Sequence, residues 1–362
     1  MNLNHRISYL SALLVSSLVI VAGCVDKSNK TTSTETGTDN KTETKTFHAV
    51  DSAVLSISIK NAKPLSKNLE KIKVISLDED VENIIGIPQT MEVRGDTIFA
   101  VDSYQAPGIY AYLMDGTQLW AYCSEGGAEA DIASPFNLSV TDNYVTAYDM
   151  GGRKLITLDK SGKFIKKTDL HPDAVNALMD ATGGIWTNYS NQEYANTLLS
   201  FRATPDSEET EILEVPDLVK GSTVIGIRSL TPLRDGTINY LPELQPKVYS
   251  LYDGKIALKY ILDFGSLWPD EATMKKEYRG GYWARNMRNF PVSRLKIDES
   301  QDWVGISFSN KENNYIYLYD RKNKGGLTYM DDTQEYYTPL ALVDDTVYMQ
   351  AKDNTIVALK CK

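Results

Sequence analysis

One short element recurs along this chain: a tight turn followed by a strand of alternating apolar residues. It reads Gly95-Asp96-Thr97-Ile98-Phe99-Ala100-Val101-Asp102 and returns as Asp142-Asn143-Tyr144-Val145-Thr146-Ala147-Tyr148-Asp149. Weaker copies are marked by Gly183, Asp235, Asp302 and Asp345, so that, counted from Asp96 and Asp142, the six markers stand 46, 41, 52, 67 and 43 residues apart. Turn pairs such as Asp-Gly bounding short Val/Ile/Tyr/Thr runs are the signature of antiparallel strands. A second turn follows most copies by about twenty residues, at Asp115-Gly116, Ser161-Gly162, Asp253-Gly254 and Lys322-Asn323. Each unit is then an inner hairpin followed by an outer one. Four-stranded units of about 40–50 residues are the blades of a β-propeller, and six markers predict six blades. A β-sandwich is the competing all-β architecture, but it needs neither this length nor six copies of one element.

The ends of the chain bear on ring closure. Residues 353–359 finish the last unit two or three strands in, and the run 71–77 (Lys-Ile-Lys-Val-Ile-Ser-Leu) precedes the first. That early run is predicted to supply the missing outer strand of blade six, which removes exposed sheet edges. The composition agrees with a buried core, at 42% apolar and 24% charged residues. With 22 Tyr and 8 Phe, many aromatics must sit where a hydroxyl reaches water or a partner, as in half-exposed strands.

The first 46 residues are of another kind. Residues 8–21 form an apolar run after Arg6, about the length of a signal-peptide core and too short for a spanning helix. The run ends at Val21-Ala22-Gly23-Cys24, which resembles the bacterial lipoprotein box, and this resemblance implies that Cys24 is lipidated after removal of residues 1–23. Residues 24–46 contain eight Thr and no aromatic residue. Such a segment cannot bury enough apolar surface to offset its ordering entropy and reads as a disordered Thr-rich tether. Residues 47–362 then make the propeller. The expected location is the cell envelope, lipid-anchored, with the outer membrane favoured because Val25 does not look like an inner-membrane retention signal.

The start of the chain, with Gly95–Asp102, Met114–Trp120, Tyr148–Leu170 and Tyr240–Gly265, resembles the six-bladed β-propeller lipoproteins of Bacteroidetes, whose architecture is similar to NHL-repeat and TolB-like propellers. The resemblance covers roughly residues 70–360 and implies shape and location rather than chemistry. The family often carries a Gly-Pro-Gly-Glu-Tyr-like turn after its first blade, and here Gly126-Gly127-Ala128-Glu129-Ala130-Asp131 lacks the Pro and the Tyr.

Few residues suit catalysis. His5 leaves with the signal peptide and His48 lies at the tether's edge, so His171 alone remains in the body. A His-rich metal site is excluded, and so is a Ser-His-Asp triad unless His171 serves it. No catalytic residue and no metal ligand is assigned, and no cofactor is expected. Ca²⁺ at the Asp-rich turns is the one open possibility, although Asp favours turns for local hydrogen bonding anyway. A formal charge of −10 argues against nucleic acid as a partner. Cys123 and Cys361 are read as two separate thiols, and the chain as a monomer.

The longest spacing holds an insertion, about residues 264–291, between blades four and five. Pro269-Asp270-Glu271 is a helix start and Gly280-Gly281 a stop. From Lys275 to Arg294 there are six positive residues and one negative, an inversion of charge in an acidic chain. Trp268, Tyr278, Arg279, Tyr282, Trp283, Arg285 and Arg288 combine stacking faces with forked donors, which suits a sugar or anionic ligand. The competing reading is a plug whose aromatics pack on the blades. Two functions follow. One is a membrane-tethered binding or scaffold lipoprotein holding a glycan, peptide or envelope protein. The other is a propeller lyase or hydrolase acting on a saccharide or lactone through carboxylates.

Overall fold

The computed structural model describes residues 52–78, 81, 85–124, 131–189, 197–215, 229–242, 245–278 and 291–361. All belong to one compact unit, Phe47–Lys362. The expected signal peptide (residues 1–23), Cys24, the expected tether (24–46), His48 and residues 126–130 of the variant turn lie outside the described residues.

The chain enters with three short strands, β1 (Ala53–Ser56), β2 (Lys63–Pro64) and β3 (Leu69–Ile75), with a helical turn α1 (Leu65–Asn68) between the last two. Blade 1 follows as β4 (Pro88–Arg94), β5 (Thr97–Asp102), β6 (Gly108–Leu113) and β7 (Gln118–Cys123). Blade 2 is β8 (Pro135–Val140), β9 (Tyr144–Asp149), β10 (Lys154–Asp159) and β11 (Phe164–Asp169). Blade 3 is β12 (Ala174–Met179), β13 (Ile185–Tyr189), β14 (Thr197–Arg202) and β15 (Thr210–Glu214). Blade 4 is β16 (Leu230–Pro232), β17 (Ile238–Tyr240), β18 (Lys247–Tyr252) and β19 (Lys255–Asp263). Helix α2 (Glu271–Tyr278) intervenes before blade 5, which is β20 (Ser293–Glu299), β21 (Trp303–Asn310), β22 (Asn313–Asp320) and β23 (Gly325–Met330). Blade 6 is β24 (Tyr336–Val343), β25 (Thr346–Ala351) and β26 (Ile356–Cys361), completed on its outer edge by β3.

The protein is therefore an all-β, six-bladed propeller, with the predicted insertion between blades 4 and 5. The closure predicted from residues 71–77 is present. β3 pairs antiparallel with β26, Ile75 opposite Ile356 and Leu69 opposite Cys361. The rest of the entry segment was not foreseen. β1 adds parallel to β19 on the outer edge of blade 4, and β2 adds parallel to β23 on blade 5. The segment thus pairs in turn with blades 4, 5 and 6, and covers three edges that would otherwise invite foreign strands.

Each strand sends alternate side chains to opposite faces. In a radial array both faces are buried, one in each flanking seam. On β5, Ile98 and Ala100 join the seam with blade 6, while Phe99 and Val101 join the seam with blade 2. The described residues form six apolar clusters, one per seam. The expectation that Tyr hydroxyls reach water or a partner is met here by partners, while the half-exposed setting is corrected at several positions. Tyr110, Tyr112, Tyr148 and Tyr240 are wholly buried. Their hydroxyls find protein partners instead of water: Tyr110 donates to Ala106 O at 2.8 Å and Tyr148 to Ala174 O at 2.7 Å.

The Asp that ends the repeated element has a definite task. Asp102 closes β5 and accepts the Gly86 and Ile87 N–H groups at 2.8 and 3.0 Å. Asp149 closes β9 and accepts those of Ala133 and Ser134 at 3.2 and 2.6 Å. Both carboxylates fasten the connection that leads into their own blade. Asn310 does the same in blade 5, donating to Pro291 O at 2.6 Å.

Candidate functional site

The innermost strand of each blade, β4 through β24, surrounds the axis. At the end where inner hairpins turn, charged side chains from opposite blades meet across it. Arg94 ends β4 in blade 1, and its Nη2 reaches Leu233 O in blade 4 at 3.4 Å. Arg234, in the turn after β16, returns the contact by donating to Val93 O at 3.3 Å. Deeper in, Asn137 of blade 2 donates to Leu230 O at 2.9 Å and to Asn176 Oδ1 at 3.2 Å. The axis is therefore crossed by the protein's own polar side chains.

Two carboxylates stand beside these arginines. Glu92, buried on β4, forms an ion pair with Arg94 at 2.6 Å and accepts the Val140 N–H of blade 2 at 3.0 Å. Asp298 on β20 accepts the Leu342 N–H of blade 6 at 3.2 Å. Burial pushes the Glu92 carboxyl up to about 7, the charge of Asp298 adding to the rise, while Arg94 and the Val140 N–H oppose it. Burial likewise pushes Asp298 up to about 6, against the pull of Lys296, the Leu342 N–H, Arg234 and Arg94. A cavity of about 20 Å³ beside Asp298, lined also by Lys296, Ser307 and Leu342, has room for a single water molecule.

A second charged cluster fills the seam between blades 4 and 5. Glu299 is buried and lies 2.9 Å from Lys259 Nζ, with Arg321 on its other oxygen. Asn239 donates to the same carboxylate, and Tyr260 OH does so at 3.2 Å. Arg321 also donates to the Ser300 and Gln301 carbonyls at 2.9 and 2.8 Å. Burial and then the charge of Arg321 lower Lys259 to about 8, against the opposing pull of Asp235.

The insertion begins as the sequence predicts. The Asp270 carboxylate accepts the Thr273 N–H at 2.7 Å and caps α2. Trp268 is half-buried, stacks on Phe264 with ring centroids 5.8 Å apart, and packs into the seam between blades 4 and 5. Met274 is buried in the seam between blades 3 and 4. The head of the insertion is thus pinned on both sides of blade 4. Tyr278 ends α2. Arg279, Tyr282, Trp283, Arg285 and Arg288 lie outside the described residues, so of the seven predicted ligand contacts Trp268 alone has a described environment.

His171 is half exposed, with its ring 5.8 Å edge-on from Tyr189 and Nδ1 accepting the Asp173 N–H at 3.2 Å. Cys123 and Cys361 are separate free thiols, one in the seam between blades 6 and 1 and the other between blades 5 and 6. Burial pushes both thiols up. The turn aspartates face their own backbone: Asp115 accepts the Thr117 N–H and Asp159 those of Ser161 and Lys163. Among the described residues no three His, Cys, Asp or Glu side chains group as a metal site, and no helix is long and apolar enough to cross a membrane.

Sequence reading missed the axial residues. Their signal was faint: Glu92 in Met-Glu-Val-Arg and Asp298 in Lys-Ile-Asp-Glu are acids toward the ends of inner strands that carry other polar and charged residues, where a solvent-facing role reads equally well.

A family model described as 6-bladed beta-propeller, DUF5128, matches residues 42–357. The chain belongs to that family. Among solved structures it is similar to a Bacteroides fragilis protein described as exported, at 12% identity and a TM-score of 0.72 over 86% of this chain and 100% of that one. It is also similar to a Bacteroides vulgatus member of the DUF4221 family, at 9% identity and a TM-score of 0.55 over 81% and 97%. At such identities the likeness is one of fold. No curated protein matches the sequence.

Proposed function

We propose that this protein is a lipid-anchored envelope protein, held by Cys24 at the outer membrane, whose propeller binds a glycan, peptide or envelope protein through the insertion. The observation that carries this reading is the anchoring of the insertion's head. Trp268 and Met274 are sunk in the seams on either side of blade 4. A rigid platform of that kind lowers the ordering cost of a loop that recognises a ligand. The segment that leaves it, residues 279–290, holds Arg279, Tyr282, Trp283, Arg285 and Arg288. The description of the Bacteroides fragilis protein as exported agrees with an envelope location. The tether, of about 25 Å r.m.s. reach, would lift the body off the membrane.

Glycan-array and pulldown screening of the wild-type chain, repeated with Trp283→Ala and Arg285→Ala, tests the binding site. The expected result is about tenfold weaker capture with an unchanged melting temperature. Melting of the whole body in either variant would make the insertion a structural plug. Replacing Cys24 by Ala is expected to move the protein from the membrane fraction to the soluble fraction, and retention in the membrane would refute the lipid anchor.

The raised carboxylates Glu92 and Asp298 favour one second reading, acid–base hydrolysis or elimination on a saccharide or lactone. Turnover of such substrates, abolished by Glu92→Gln and Asp298→Asn, would establish it over binding alone.

A further inference from the structure

The turn-side mouth of the axis holds more cationic donors than the protein itself uses. Arg94 spends Nε and Nη2 on Glu92 and Leu233 O, and its Nη1 meets no acceptor among the described residues. Arg234 spends Nη2 on Val93 O. Its Nη1 lies 4.0 Å from Asp344 Oδ1, beyond hydrogen-bond range, and its Nε is free among the described residues. The Arg94 and Arg234 side chains are 21% and 41% exposed, so solvent reaches both. Lys160 comes to the same mouth from blade 2, its Nζ donating to Thr141 O at 3.1 Å over the Phe99 ring. The acids that balance these cations are turned inward. Glu92 and Asp298 are each committed to a backbone N–H of the neighbouring blade. Asp344, the acid nearest Arg234, is 80% exposed and gives a weakly coupled pair.

We propose that this mouth binds a compact oxyanion, the carboxylate of an acidic sugar or a phosphate group, between the unused donors of Arg94 and Arg234. Guanidinium forks from opposite blades meet such a group from two sides at fixed separation, because each is already held to the opposite blade's backbone. The arginines lie at the turn-side end of the strands, whereas β19 leads into Phe264 at the opposite end, so the inference goes beyond the function proposed above.

The site has a pH dependence set by its neighbours. Glu92 faces Arg94 on its own strand, the Val140 N–H of β8, Asp298 of β20, and Lys160 with Asp142 from the turns of blade 2. Asp298 faces Lys296 on its own strand, the Leu342 N–H of β24, and Arg94 and Arg234 across the axis, with Asp344 beside Arg234. When Glu92, which is buried, and Asp298, which is half-buried, take up protons they cease to compete for the guanidinium groups. An added anion is therefore held more tightly at pH 5.5 than at pH 8.

Calorimetric titration of the full chain in detergent with sodium glucuronate and, separately, inorganic phosphate tests the proposal, with sodium chloride at equal ionic strength as the control. The expected result is saturable binding of at least one oxyanion above chloride, about tenfold weaker in Arg234→Gln and partly restored in Arg234→Lys. Glucuronate binding alone identifies a carboxylate ligand, and phosphate binding alone a phosphorylated one. Arg234 makes a single hydrogen bond, so its variants are expected to melt with the wild type. Should Arg234→Gln melt early, Arg94→Gln supplies the same comparison. No heat above the chloride control for either oxyanion, or equal affinity in wild type and variants, overturns the proposal.

Discussion

Glu299 shows how one buried charge can hold two blades together. Its carboxylate joins Asn239, Lys259 and Tyr260 of blade 4 to Arg321 of its own blade. Replacing it with Gln leaves two cations facing each other without a counter-charge. The expected loss is about 3–5 kcal/mol in a denaturation experiment, and breaking an exposed pair such as Lys360–Asp345 is expected to cost far less. The axial acids carry the opposite cost. Glu92 titrates near 7 in the folded state against 4.5 ordinarily, and Asp298 near 6 against 3.8. The folded protein holds these protons where the unfolded chain has released them. Their contribution to stability is greatest in acid and is lost as pH rises from about 4 to 7. The melting temperature is expected to fall between pH 5 and pH 8, and Glu92→Gln to flatten that fall by up to about 3 kcal/mol. An equal pH slope in wild type and variant would remove Glu92 as the cause. None of this was legible beforehand, since a charged residue at a strand end looks the same whether it faces water or an opposite blade.

At the scale of the element, the repeated turn-plus-strand was legible because its causes are local. Gly95 adopts φ +62° and Gly236 φ +85°, conformations that glycine takes without strain, so the tight turns show in the residue types. The terminal Asp of the motif was visible too, but its role in fastening the connection was not, because the partners that Asp102 and Asp149 hold there lie 15 or 16 residues away. Asp149→Ala orphans two backbone N–H groups beside a wholly buried position, at an expected cost of about 3 kcal/mol. Hydrogen exchange of the Ala133 and Ser134 amides should rise in step with the loss of global stability. Unchanged protection there would mean that the connection holds its place without the carboxylate. The capped start of α2 was legible for the same local reason. The sinking of Trp268 and Met274 into two different seams was not, because an aromatic in a cationic loop reads as a ligand contact until its packing is known.

For the whole molecule, closure is the decisive event. The first and last parts of the chain share one sheet, so blade 6 forms only when residues 69–75 return to residues 356–361. Removing residues 1–76 exposes the β26 edge and also uncovers the outer edges of blades 4 and 5. Such a chain is expected to elute as oligomers on size exclusion and to lose a single cooperative transition. A monodisperse, cooperatively melting product would show that the entry strands are dispensable. Turns, strand periodicity and even the closing strand could be read in advance, since each is written in residues close together or in a pattern that repeats. The contents of the axis could not. Arg94 meets Leu233 at 139 positions' distance, and Arg234 meets Val93 at 141. Alternation says that a side chain leaves its strand to one side or the other. Which backbone and which charge await it there is set by the radius and angle at which six sheets close, and that is a property of their packing together.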